Sequence, residues 1–228
     1  MSAQAQAQLA ARPLFGGAIS LDLPTDYLDA SDLRQIPDNQ EVFLSSTSDT
    51  AVVLEILGMV QDGLASTDLW EAVKFHFSSI AHDNASLAST ILTPPPSSSI
   101  PSTPSSSSAS SSSTVPIYTP TPVTLYGTQR IHKFSHNPSG APRPGHESDQ
   151  PDEVWIGVAL WRVWIESTLG SDARTGSKKK ADVVLSVNVN LSAADGGAEQ
   201  EREKVQGWFE RAVRSLQILD YGLFGDES

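Results

Sequence analysis

The densest group of chemically capable side chains is the run from Tyr27 to Glu41, which holds Asp29, Asp32, Asp38 and Glu41 within thirteen residues. Ser31 and Asp32 are placed to cap a short turn of helix, and Asp38 before Asn39 to close a turn through its own carboxylate. If Asp38 and Glu41 point outward from one turn, two carboxylates stand side by side. Such a pair does acid–base catalysis when a nucleophile, a metal ligand or a substrate pocket accompanies it, and the sequence shows none of these nearby. As a docking point for a basic surface the pair needs nothing further. Turn formation alone is the competing explanation for Asp38, and a weaker one for Glu41.

The other chemical templates fail. The chain has no Walker loop, no G-x-G-x-x-G fingerprint and no G-x-S-x-G elbow. Gly16-Gly17 precedes a strand and reads as a tight turn or bulge. His132 and His136 have the i, i+4 spacing of zinc ligands, but they flank a Pro-rich stretch and have neither cysteine nor an H-E-x-x-H context. His76 falls within a helix and is expected as a satisfied, partly buried imidazole. Lys178-Lys179-Lys180 reads as a solvated hairpin tip in preference to a nuclear-localisation patch. No cofactor and no metal is expected.

The elements that would position these residues follow from period and punctuation. Ile19, Leu21 and Leu23 alternate with polar neighbours and give a strand ended by Pro24. Val42–Leu44, Ala51–Leu57 and Val154–Ile165 are further strands, and Ala181–Leu191 alternates strictly. The segment 171–180 is expected to join the last two as a hairpin loop. Asp68 starts a helix, with Glu71 three residues on as in a capping box and Leu69, Trp70, Val73 and Phe77 on one side. A final helix carries Val205, Trp208, Phe209, Ala212, Val213 and Leu216 at helical spacing. Gly207 within it costs about 1 kcal/mol relative to Ala and is expected to allow close packing. Trp155 and Trp161 share a strand face that the final helix is expected to shield. Strands in neighbouring pairs with two good helices predict an α+β fold with an antiparallel sheet.

Composition restricts the function classes. Of 228 residues, 15 are Lys or Arg and 27 are Asp or Glu, a net charge of -12. A nucleic-acid coat protein needs clustered cations to displace counterions, so that class is excluded. The absence of cysteine removes disulfide scaffolds, thiolate metal sites and cysteine nucleophiles. No apolar run approaches the ~18 residues of a membrane span, and residues 1–11 lack the features of a signal peptide. The expectation is a soluble intracellular monomer with no membrane insertion. The acidity is uneven: residues 1–92 carry a net charge of -9 and residues 93–228 only -3. An anionic face that steers a basic partner accounts for this asymmetry. Residues 1–11 read as a disordered tail, and 93–117, rich in Ser and Pro, as a disordered insertion. Residues 12–225 then form one domain interrupted by that insertion.

At this point the motifs become those of a family. Leu14-Phe15-Gly16-Gly17-Ala18-Ile19, Asp29-Ala30-Ser31-Asp32-Leu33-Arg34 and Pro37-Asp38-Asn39-Gln40-Glu41-Val42 resemble the Ran guanine nucleotide release factors, the Mog-type nuclear import factors. Trp70-Glu71-Ala72, Phe75-His76-Phe77, Ile156–Leu160, Asp182–Leu191 and Leu219–Phe224 match in order. The resemblance implies an α/β/α sandwich around a central antiparallel sheet, shared with the photosystem II extrinsic protein. It implies binding of the GTPase Ran in the nucleus and cytoplasm, nucleotide release without bond chemistry, and cooperation with other Ran-binding proteins. By matched position, Asp29, Asp38 and Glu41 are the implied Ran contacts, with Asp32, Arg34 and Asn39 secondary. An acidic adaptor or chaperone for basic proteins, without nucleotide-release activity, is the alternative.

Overall fold

The computed structural model describes residues 7–102, 118–135, 137–166, 178–193 and 196–224. Among these residues ten strands follow in chain order, β1 (Leu9–Leu14), β2 (Ile19–Pro24), β3 (Tyr27–Asp29), β4 (Gln40–Ser45), β5 (Ala51–Gly58), β6 (Ala88–Ile91), β7 (Val123–Ile131), β8 (Asp152–Glu166), β9 (Lys178–Asn190) and β10 (Gln217–Ile218). Helix α1 (Leu69–Asp83) lies between β5 and β6, and α2 (Ala198–Ser215) precedes β10. Seven strands form an antiparallel sheet in the order β3-β4-β5-β9-β8-β7-β6, and β1-β2-β10 form a second, smaller one. The three strands of the large sheet that follow the Ser/Pro-rich insertion, β9, β8 and β7, lie as a block between β5 and β6 from before it, with β5 paired to β9.

Period-two alternation decides which helix each sheet face receives. On β8, Val154, Ile156, Val158 and Leu160 face α1 and join Trp70, Val73 and Phe77 in one apolar cluster. Trp155 and Trp161 face the other way and pack with Trp208 and Phe209 of α2 and with Leu21 and Leu23 of β2. The layers are therefore α1, the large sheet, then α2 together with the small sheet. This is the expected mixed α/β arrangement with antiparallel pairing, and the shielding of Trp155 and Trp161 by the final helix is observed. The three-stranded sheet has no counterpart in the sequence expectation.

Helix α1 begins where its cap predicts. The Asp68 carboxylate accepts from the backbone N–H of Trp70 and of Glu71, at 2.8 and 3.3 Å. Glu71 does not reach back to complete a capping box; it pairs with Lys74 at 2.8 Å. Phe77 then descends onto β7 at Gly127, where an added Cβ would lie 2.4 Å from the Phe77 ring. Only glycine permits that approach.

Several expectations need correction. Leu9–Ala11, assigned to a disordered tail, are the first half of β1, held by pairing with Asp22–Pro24. Within the expected disordered insertion 93–117, residues 100–102 are anchored. Ile100 O accepts from Leu69 N, Ser102 N donates to Thr67 O, and Ser102 is buried. Paired backbone groups and the Ile100 side chain against the α1 cluster supply what the bare composition of the tract does not. Residues 103–117 lie outside the described residues. Lys178–Lys180 are not a hairpin tip; they pair with Trp164, Ile165 and Glu166 as the start of β9. The Lys179 ammonium donates to Phe224 O, and Lys180 sits over the Trp164 ring. The rest of the expected loop, 171–177, is outside the described residues. Gly207 faces solvent with nothing near its absent Cβ, so it mediates no close packing.

Candidate docking site

The Tyr27–Glu41 segment runs along the edge of the large sheet and is held there by side chains from both sheets. Arg12 of β1 donates to the carbonyls of Pro24 and Tyr27, at 3.2 and 2.7 Å, and its guanidinium lies over the Phe43 ring. That clamp fixes the start of β3. At the end of β3, Asp29 caps the 3₁₀ turn Ala30–Asp32 by accepting from Ser31 N at 2.8 Å. The cap is thus Asp29, not the expected Ser31 and Asp32.

The next turn leads into β4. Gln40 N donates to Pro37 O at 2.9 Å, so backbone closes it. The Asp38 carboxylate does not make the expected turn bond and, among the described residues, accepts no hydrogen bond. Asn39 fastens the turn to β5: its carbonyl accepts from Ile56 N at 2.9 Å and its amide donates to Ile56 O at 3.3 Å. Glu41, the second residue of β4, reaches across to the Phe15–Gly17 bend and accepts from Phe15 N at 2.6 Å. Phe15, Gly16 and Gly17 all have positive φ, at 50°, 66° and 94°. The glycines tolerate this conformation, whereas Phe15 carries strain of about 1–3 kcal/mol. The Glu41 bond holds that strained N–H in place.

These pieces enclose a depression of about 270 Å³. Asp29, Asp38, Glu41 and Arg34 line it together with Phe15 and Ile36. Asp32 and Asn39 belong to the same segment but do not line it. The three carboxylates therefore converge on one surface with a single cation among them, and they are not equivalent. Asp29 and Glu41 each commit one oxygen to the fold; among the described residues neither oxygen of Asp38 is engaged. The group can bind a cationic surface. Among the described residues no group of three His, Cys, Asp or Glu could hold a metal ion, and His136 of the His132/His136 pair is outside them. Among those residues, too, no helix is long and apolar enough to cross a membrane.

A second carboxylate group escaped the sequence reading. Asp182 of β9 is fully buried opposite Arg162 of β8. Arg162 donates to both oxygens of Asp182, Nε to Oδ1 at 2.7 Å and Nη2 to Oδ2 at 2.8 Å. His76 of α1 and the N–H of Val60 complete the shell of Oδ2, at 2.9 and 3.1 Å. The remaining guanidinium nitrogen, Nη1, reaches Ala65 O at 2.6 Å and Ser102 Oγ at 2.8 Å. Burial acts to raise the Asp182 carboxyl, but the hydrogen bonds from Arg162 and His76 and the guanidinium charge hold it below its ordinary value. The satisfied imidazole expected for His76 is present, and its partner is this carboxylate. The signal that could have revealed the network is Arg162 itself, a charge inside the long apolar run Val154–Ile165, which demands a buried partner.

Comparison with known proteins gives concordant results. The chain is 43% identical over 79 residues to the Ran guanine nucleotide release factor of Danio rerio, a stretch covering 33% of the chain and 39% of the relative. It is 46% identical over 72 residues to the nuclear import protein mog1 of Schizosaccharomyces pombe, covering 31% and 36%. These matches thus span well under half of those relatives' lengths. A probable Ran guanine nucleotide release factor of Dictyostelium discoideum aligns across 93% of the chain and 95% of its own length at 23% identity. Among solved structures, the Ran-binding protein Mog1p of Saccharomyces cerevisiae superposes with a TM-score of 0.61 at 23% identity, covering 96% of this chain and all of that one. That likeness shows a shared fold. The family described as Mog1, Ran-interacting Mog1 protein, matches residues 12–190. The match takes in both the docking depression and the Arg162–Asp182 network, and the chain belongs to the Ran-interacting Mog1 protein family.

Proposed function

We propose that this chain binds the GTPase Ran through the depression ringed by Asp29, Asp38 and Glu41, and that binding promotes release of Ran's guanine nucleotide in support of nuclear protein import. The observation that carries this reading is the convergence of those three carboxylates on one depression, in a family described as Ran-interacting with relatives named as a Ran guanine nucleotide release factor and a nuclear import protein. Cationic side chains of Ran face Asp38 first, since neither of its oxygens is committed among the described residues. Asp29 and Glu41 contribute their remaining acceptor capacity, with Asp32, Arg34 and Asn39 at the margin. Complementary charge speeds encounter and sets orientation.

Release then follows by linkage. A protein that binds nucleotide-free Ran more tightly than nucleotide-bound Ran lowers nucleotide affinity by the same factor. No covalent bond is made or broken, so the chain acts by binding and not as an enzyme. It works as a monomer in nucleus and cytoplasm, alongside other Ran-binding proteins.

The test is release of fluorescent nucleotide from purified Ran, with and without the chain, repeated with Asp38→Lys. The native chain accelerates release. The variant needs about tenfold more protein for the same effect, equivalent to ~1.4 kcal/mol, with unchanged thermal unfolding. Normal release by a folded Asp38→Lys variant, or no acceleration by the native chain, refutes the reading.

A further inference from the structure

Among the described residues, the α1 side of the large sheet is only partly covered. Helix α1 packs over β6, β7 and β8, and beside it a groove of about 410 Å³ runs across β5, β9 and the start of β8. Its apolar surface comes from Val53, Val154 and Ile156 on the sheet, Ile80 on α1 and Ile131 at the end of β7. Asp49, Glu55, Asp83 and Asp152 line the same groove, with Lys133 as the one cation among the lining residues. Lys133 is already paired with Asp49; among the described residues Glu55 and Asp152 have no cation beside them, and Asp83 meets only the exposed imidazole of His82, at 3.5 Å.

The walls are preorganised. The Asn188 side chain accepts from Ala51 N at 3.1 Å and donates to Asp49 O at 3.3 Å. Asn84, at the end of α1, donates to the Gln129 side chain at 2.9 Å. Surfaces fixed before association lose less entropy on binding.

The groove and the depression meet at one residue. Gln40 lines both, and its amide donates to Glu55 at 2.5 Å. Carboxylates thus stand on either side of Gln40, Asp38 and Glu41 in the depression and Glu55, Asp83 and Asp152 in the groove. An apolar floor between carboxylates suits long cationic side chains, whose methylene stems cover aliphatic surface while their charged heads reach the rim.

We propose that this groove receives an extended Lys- or Arg-bearing segment of the same GTPase that docks on the Asp29–Asp38–Glu41 depression. The inference rests on the Ran reading above and adds a second, independently mutable contact to it. The occupant inserts aliphatic stems against Val53 and Ile156 and pairs its cations with Glu55, Asp83 and Asp152.

The experiment measures Ran affinity for the full chain carrying Glu55→Gln, Asp83→Asn and Asp152→Asn together, beside Asp38→Lys and the native chain. Each is titrated at low and moderate salt. Carbodiimide cross-linking with mass spectrometry is run on the native complex. The groove variant is expected to bind about tenfold more weakly with a shallower salt dependence, and Asp83 or Asp152 to cross-link to Ran lysines. Should the triple variant unfold, Asp83→Asn alone, at the exposed end of α1, serves with the cross-link. Native affinity in the groove variant, or weakened affinity without a cross-link from Asp83 or Asp152, overturns the inference. In those cases a continued loss with Asp38→Lys leaves the Ran reading standing. Absence of Ran binding by the native chain removes both.

Discussion

Asp182 and Asp38 are the same residue type put to opposite uses. Asp182 has no solvent exposure and four hydrogen bonds from three partners, Arg162, His76 and Val60. Asp38 is exposed and accepts none from the described residues. A buried carboxylate whose acceptor sites are filled is a structural part: it holds α1, two central strands and the 100–102 strap in one arrangement. An exposed carboxylate held only by its backbone turn has its binding capacity unspent. Glu41 stands between the two, one oxygen bound to the strained Phe15 N–H and the other without a partner among the described residues. Availability, more than charge alone, separates the carboxylates proposed for docking from the structural one.

Four substitutions and one titration test that contrast. Asp182→Asn has the largest expected effect, because it leaves the Arg162 charge buried without its counter-ion. Destabilisation of about 3–5 kcal/mol is expected by chemical denaturation, while Ran affinity of the folded fraction is unchanged. A loss below 1 kcal/mol would break the structural half of the contrast.

Titration sharpens the same point. The folded-state value of Asp182 lies below its ordinary 3.8, so its contribution is fully present above pH 3.8 and is lost as pH falls through the depressed value. Melting temperature followed from pH 7 to below 3 should show a larger acid loss for the native chain than for Asp182→Asn. Parallel curves would contradict the assignment.

Glu41→Ala comes next. It orphans the Phe15 N–H and should cost about 1–3 kcal/mol in stability as well as weakening Ran binding, so both readouts move together. Gly207→Ala is a control in the opposite direction. With open space at its Cβ, it should stabilise α2 by about 1 kcal/mol without altering binding; a destabilised protein would show that the position is packed after all. Asp38→Asn should change stability by less than about 0.5 kcal/mol and register only in binding, and a fall in melting temperature would place it on the structural side.

Legibility in the sequence followed local periodicity. β2, β4, β5, β8, β9 and both helices were readable because their apolar residues repeat at two or 3.6 and their ends carry Pro24 or the Asp68 cap. β7 was not, because Gly127 and Gln129 occupy inward positions where an apolar side chain would have signalled a strand. Gly127 stands there for Phe77, which approaches from another element. β1 was missed for a related reason: its Ala-rich run, ending near Pro13, has little pattern of its own and is ordered by β2. The docking segment was legible from four acids clustered between strands. The relative freedom of those acids was not, since it depends on which backbone N–H comes within reach.

By itself the sequence determined the acidic bias of the first 92 residues, the helix and strand periods, the absence of thiol chemistry and the segment in which Asp29, Asp38 and Glu41 lie. These are properties of composition and near-neighbour spacing. Only the tertiary structure decided that Glu41 is tied to Phe15, 26 residues away. It also set Arg162 against Asp182 across a strand pair, under a histidine 106 residues from that aspartate. A carboxylate's role is set by what surrounds it, and those surroundings are assembled from chain segments whose proximity no local pattern encodes.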